Sequence, residues 1–219
     1  MPSLIELVQT IAVWALPVLF AITLHEVAHG WAARALGDST AAMMGRLTLN
    51  PLKHIDPVGT IIVPLVFLLL PGSFLFGWAK PVPVSTRNLR RPRRDIALVA
   101  AAGPMANLAM AFGWGLLLKL ALSQGAEAGV WLGIQLMATA GIVINLVLMA
   151  LNLLPVPPLD GGKVMSSLLP PRLGSQFDRI EPYGLFIIVG LMVTGLLGPL
   201  LRPLMTAAQL LLATLLGFA

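Results

Sequence analysis

His25-Glu26-Val27-Ala28-His29 is the densest concentration of chemistry-bearing side chains in this sequence. On a helix, residues four apart project from one face, so both imidazoles reach a common point. Two neutral imidazole nitrogens are good zinc donors, and a catalytic zinc site takes three protein ligands and leaves a position for water. Glu26, adjacent to the first histidine, is placed to act as the general base for that water. Gly30 follows directly and permits close approach of another backbone or of a substrate. Five residues with two free positions also recur by chance. Here they sit between the apolar stretches Ala12–Leu24 and Trp31–Leu36. Each ionisable group in such a span costs several kcal/mol unless it is paired or metal-bound, which favours a metal site over a chance cluster.

Two histidines leave a ligand to be found. The chain has no cysteine, so the third donor must be His, Asp, Glu or Asn. His54, Asp56, Asp95, Asp160 and Asp178 are the candidates. Asp160 is preferred because it closes an apolar span in the stretch Asn152-Leu153-Leu154-Pro155-Val156-Pro157-Pro158-Leu159-Asp160-Gly161-Gly162. Its prolines stop helical hydrogen bonding and its glycines allow a sharp turn. Broken helix at membrane depth is tolerated where it lines a protein-buried or wet cavity. The competing reading is an ordinary helix end with an exposed aspartate. His54, in a polar loop without a helical partner, reads as a surface or supporting histidine.

HEVAHG in one span and NLLPVPPLDGG in a later one together resemble the site-2 protease family of intramembrane zinc metallopeptidases. The resemblance extends over roughly residues 11–163. It implies one zinc ion per chain, His25, His29 and Asp160 as its ligands, and Glu26 as catalytic base. Gly103-Pro104-Met105-Ala106-Asn107 and the stretch NPLKHIDPVGT also resemble short bacterial and archaeal members. Asn152 matches an asparagine of the family's pattern and is a candidate catalytic residue, donating to the oxyanion or the substrate backbone; helix-end capping is the alternative. Asn107 is read as a helix-packing residue at least as readily as a site residue, and Asn145 as a packing hydrogen bond. There is no insertion of PDZ size between Asn107 and Asp160 and no appended CBS-type domain, so a minimal form is expected.

These residues need a membrane scaffold. The chain is 58% hydrophobic and 11% charged, with mean hydropathy +0.90. A soluble domain carries about 25% charged residues, so water is not the main solvent. The expected fold class is an all-α polytopic membrane protein: one domain over residues 1–219, with a catalytic core at about 8–163 and C-terminal helices at about 183–219. Five to six transmembrane or re-entrant helical segments are expected. The clear spans are Val8–Ala35, Ile96–Leu122, Val130–Leu154 and Tyr183–Leu201, with a final apolar run to Ala219. Ile61–Leu70, bounded and interrupted by prolines, reads as a re-entrant or hairpin segment. The N-terminus lacks a basic region and cleavage site and reads as part of the first span. Gly77–Asp95 contains Pro81 and Pro83, which forbid a helix; a loop or short β-hairpin-like segment is expected there, with Gly77–Val84 as its candidate edge. Such a segment could pair with an unwound substrate by β-addition.

Placing the loops 36–57, 77–95 and 163–182 on one side gathers Arg46, Lys53, Lys80, Arg87, Arg90, Arg91, Arg93, Arg94, Lys163, Arg172 and Arg179 there, with Arg34 at the edge. Lys119 and Arg202 fall opposite. The positive-inside rule then assigns the basic side to the cytoplasm of a prokaryotic cell (inner) membrane, with the site opening that way. It also accounts for the +5 net charge through lipid headgroups rather than nucleic acid. The implied partners are the bilayer and transmembrane-helix substrates. The function expected is peptide-bond hydrolysis within or near such helices. A catalytically idle helix-binding adaptor and a metal transporter are the rivals. An adaptor has no need of Glu26, and a transporter needs several sites along a path.

Overall fold

A computed structural model describes residues 3–63, 77–125 and 128–218. Helix α1, Leu4–Ala35, starts at a capping box in which the Ser3 side chain accepts from the Glu6 backbone and the Glu6 carboxylate accepts from Ser3. It stays helical through Pro17. Helix α2, Pro92–Ser123, has Pro92 in its first turn, where a missing N–H costs nothing. Helix α3, Gly129–Asn152, follows, then two short helices, α4 at Asp160–Leu168 and α5 at Pro171–Asp178. The chain closes with α6, Gly184–Val193, and α7, Leu197–Leu216.

Helices α1, α2, α3 and α7 are long and apolar enough to cross a membrane. At about 1.5 Å per residue they measure roughly 30–48 Å, against a hydrocarbon core of about 30 Å. The expected span over Tyr183–Leu201 is not continuous. It divides around Gly195, whose φ is +73°, into the ten-residue α6 and the start of α7. Ten residues rise only about 15 Å, so α6 is a short, non-crossing segment and α7 supplies the fourth span. The expected re-entrant segment Ile61–Leu70 begins as a π-helical turn at Pro57–Ile62; residues 64–76 lie outside the described residues.

The core is a three-helix contact of α1, α2 and α3. Lipid tails are as apolar as leucine, so helices associate here through close packing and polar pairs rather than by escaping water. The sequence supplies small residues for this: Ala21, Ala33, Ala100, Ala111, Ala138 and Ala150 are all buried. Gly141 of α3 lies under the Trp114 ring of α2, where a Cβ would collide with the indole. Helix α7 packs its first turns, at Leu197 and Leu201, against Ala150 and Leu154 at the end of α3. Its other end, at the Leu216 carbonyl, receives the Lys119 ammonium. Arg202 therefore sits at the same end of the bundle as Asp160, not opposite it as expected, which adds a further cation to the basic end.

Candidate metal centre

Three elements bring the site together. His25 and His29 lie on the buried stripe of α1, with their ring centroids 4.7 Å apart and nearly perpendicular. Asp160 is delivered from α4, which begins where the Pro155–Pro158 stretch ends α3's course. Gly161 and Gly162 press against the Leu153 and Leu154 carbonyls and the Pro157 backbone, leaving no room for a side chain. That tight fold-back is what carries the Asp160 carboxylate onto α1. Asp160 Oδ2 stands 3.2 Å from Nε2 of both histidines, and the two Nε2 atoms are 3.1 Å apart. The third side of the site is α2, where Gly103 leaves space for the imidazoles: a Cβ there would lie 2.5 Å from His29 Nε2 and 2.6 Å from His25 Cε1.

The hydrogen bonds around the rings determine what faces inward. His25 Nδ1 meets Asn107 Oδ1 at 2.6 Å, and His29 Nδ1 meets the Val99 carbonyl at 2.7 Å. Both partners are acceptors here, so each Nδ1 carries the proton and each neutral ring presents a bare Nε2. Asp160 Oδ2 is buried and accepts no hydrogen bond among the described residues. Three lone-pair donors thus face one another at contact distance in an apolar setting, which calls for a cation between them. His, His and carboxylate are a zinc donor set, and tetrahedral zinc with bonds of about 2.0–2.1 Å spaces its donors by about 3.3–3.4 Å. The observed edges lie within a few tenths of an ångström of that, and the donor set fits zinc.

Glu26 is half-buried beside this cluster, and its Oε2 accepts from the Val82 backbone N–H at 2.8 Å. Val82 belongs to the irregular segment 77–85, and no strand forms among the described residues. The segment is nonetheless fixed along its length. Lys80 N–H donates to the His54 carbonyl, Arg46 donates to the Lys80 carbonyl, and Ser85 N–H donates to Asp38. Among the described residues it is a loop strapped against Glu26 rather than a hairpin.

The other expected residues divide. Asp95 is buried but caps α2 through the Arg91 N–H, and Asp56 caps the turn at Pro57. His54 is not a surface residue: it is 2% exposed and bonds the Thr48 carbonyl inside its own loop. Asn152 is not drawn into the cluster; its amide N–H donates to Leu148 O of its own helix. Asn145 makes the packing hydrogen bond expected of it, accepting from Asn107 across the α2–α3 contact, and Asn107, for which packing and a site role were both open, carries that chain of amides on to His25. The signal that could have marked them was in the sequence: amides facing inward in apolar spans must find partners.

Helices long and apolar enough to cross a membrane, packed around His-Glu-x-x-His and a distant aspartate, define a membrane metallopeptidase. The sequence model of Peptidase family M50 matches residues 115–195, a stretch that includes Asp160 but not the histidine pair. The Bacillus subtilis protein named "Putative zinc metalloprotease YwhC" is 40% identical over 193 residues, covering 87% of this chain and 84% of that protein. The Mycolicibacterium smegmatis protein named "Putative zinc metalloprotease Rip2" is 32% identical over 178 residues, 80% of this chain and 64% of its own length. Rip2 of Mycobacterium tuberculosis H37Rv is 36% identical over 189 residues, 85% of this chain and 66% of its own. No solved structure matches. The chain belongs to peptidase family M50, the site-2 protease family.

Proposed function

We propose that this chain is a zinc endopeptidase that hydrolyses peptide bonds within or beside transmembrane segments of membrane-protein substrates. His25, His29 and Asp160 hold the zinc ion and Glu26 is the general base. The observation that carries the reading is the convergence of two bare Nε2 atoms and Asp160 Oδ2 beside Glu26 in helix α1. Zinc, when bound, supplies Lewis acidity to the reacting carbonyl and water. Glu26 takes the proton of the attacking water and returns it to the leaving amine. The Val82 N–H holds one carboxylate oxygen and leaves the other for that transfer. Asn152 is assigned to the substrate backbone or oxyanion, a role that needs its amide to turn away from Leu148.

A transmembrane helix must unwind before its backbone can be cut. The irregular segment 77–85, whose Val82 bonds Glu26, is the surface assigned to receive the unwound strand. We assign this end of the bundle to the cytoplasmic side of a prokaryotic cell (inner) membrane, with the site opening there, a reading supported by the basic loops and the positive-inside rule. The test is purified protein with a transmembrane substrate peptide in detergent or bilayer. Glu26→Gln is expected to retain zinc and abolish cleavage. Equal cleavage by that variant sinks the proposal.

A further inference from the structure

Asn107 and Asn145 are both fully buried, in α2 and α3, and belong to no other function described above. Their orientation is not arbitrary, although the two ends of an asparagine amide are nearly alike in shape. Asn145 Nδ2 donates to the Gly141 carbonyl at 2.8 Å. A carbonyl only accepts, so Asn145 must turn its Oδ1 the other way. That oxygen accepts from Asn107 Nδ2 at 2.9 Å, and the same Nδ2 lies 3.3 Å from the Ala21 carbonyl of α1. With its N–H end committed to two acceptors, Asn107 has only Oδ1 to offer His25 Nδ1, at 2.6 Å. A proton on Nδ1 is the sole complement, and Nε2 is left bare. The Gly141 carbonyl at the far end of the chain of amides, together with the Ala21 carbonyl met by Asn107 itself, thus dictates the tautomer of His25.

We infer that Asn107, itself locked by Asn145, is a positioning residue that holds His25 in the Nε2-donor tautomer and ring orientation needed for zinc. This rests on the zinc-site reading above. His29 provides an internal contrast, because its Nδ1 is served by the Val99 backbone and depends on no side chain. Without the lock, an inverted Asn107 amide would present N–H to His25, move the ring proton to Nε2 and place it inside the ligand triangle. Partners of this kind typically alter metal affinity by about 10- to 100-fold.

The experiment is zinc binding to the purified, metal-stripped full chain, measured by competition with a chelator of known affinity. Asn107→Leu is expected to weaken zinc by about 10- to 100-fold. Asn107→Asp keeps an acceptor for the His25 N–H and is expected to stay within about threefold of the unaltered chain, a rescue that loss of helix packing would not produce. Asn145→Leu frees the amide but leaves the Ala21 carbonyl, and an intermediate loss of about 3- to 10-fold is expected. His25→Ala separates the two levels of inference. If it binds zinc as tightly as the unaltered chain, the zinc-site reading fails. If it abolishes binding while Asn107→Leu stays within threefold, or while Asn107→Asp loses as much as Asn107→Leu, the positioning role is overturned. Should Asn107→Leu fail to fold, an Asn145→Leu chain with undiminished affinity overturns it equally.

Discussion

Gly103→Ala adds one methyl group to the wall of the candidate metal centre and changes nothing else. Its Cβ would lie 2.5 Å from His29 Cε1 and Nε2 and 2.6 Å from His25 Cε1. Optimal contact between such atoms is about 3.5–4.0 Å, so rings or helix must yield by about 1 Å. Both imidazoles are held from behind, by Asn107 and by the Val99 carbonyl, and cannot retreat without losing those bonds. Overpacking of this kind costs about 1–3 kcal/mol. Zinc–donor distances tolerate only about 0.2 Å. If the strain falls on the ligands, zinc affinity drops by about 5- to 150-fold, at about 1.4 kcal/mol per tenfold. Gly113→Ala, on the same helix, is the control, because nothing lies within 4 Å of its Cβ position. Chelator competition on both purified variants measures the difference. Zinc affinity of Gly103→Ala within twofold of Gly113→Ala would refute the claim that α2 walls the site at this glycine.

Other perturbations test the surroundings. Asp160→Asn keeps the shape but replaces the carboxylate with a weaker amide donor; loss of zinc is expected, and stoichiometric zinc in the purified variant refutes Asp160 as a ligand. Val82→Pro deletes the N–H held by Glu26 Oε2 and is expected to lower cleavage of a transmembrane peptide with zinc retained; unchanged cleavage counts against the strap. Asp38 joins the loop after α1 to Ser85 and Asn88. Burial pushes its carboxyl upward, but hydrogen bonds from Thr40, Asn88 and the Ser85 N–H outweigh it and bring the group from 3.8 to about 2. A carboxylate depressed on folding stabilises above its unfolded value and ceases to do so as pH falls through the folded one. The junction is therefore expected to loosen between about pH 4 and pH 2, and in Asp38→Asn at neutral pH, read by proteolysis of segment 77–90; a pH-independent cleavage pattern over that window refutes it.

The histidine pair was legible because its geometry is local: a four-residue spacing on a helix places both rings on one face whatever surrounds it. The membrane setting was legible because it depends on composition summed over twenty-residue lengths, and the break before Asp160 because prolines and glycines act on their own backbone. Helix rotation and depth are not local, and they decided the rest. They put Asn107 and Asn145 in line with His25, turned Asn152 back on its own helix, and set Arg202 at the Asp160 end through the packing of Leu197 and Leu201 on the end of α3. No spacing along the chain encodes that a loop N–H at Val82 meets Glu26 across 56 residues, since that contact is the sum of several packing choices made elsewhere. The residue types able to bind a metal are written in the sequence, but only the packing of α1 against α2 and α4 sets three bare donor atoms 3.1–3.2 Å apart.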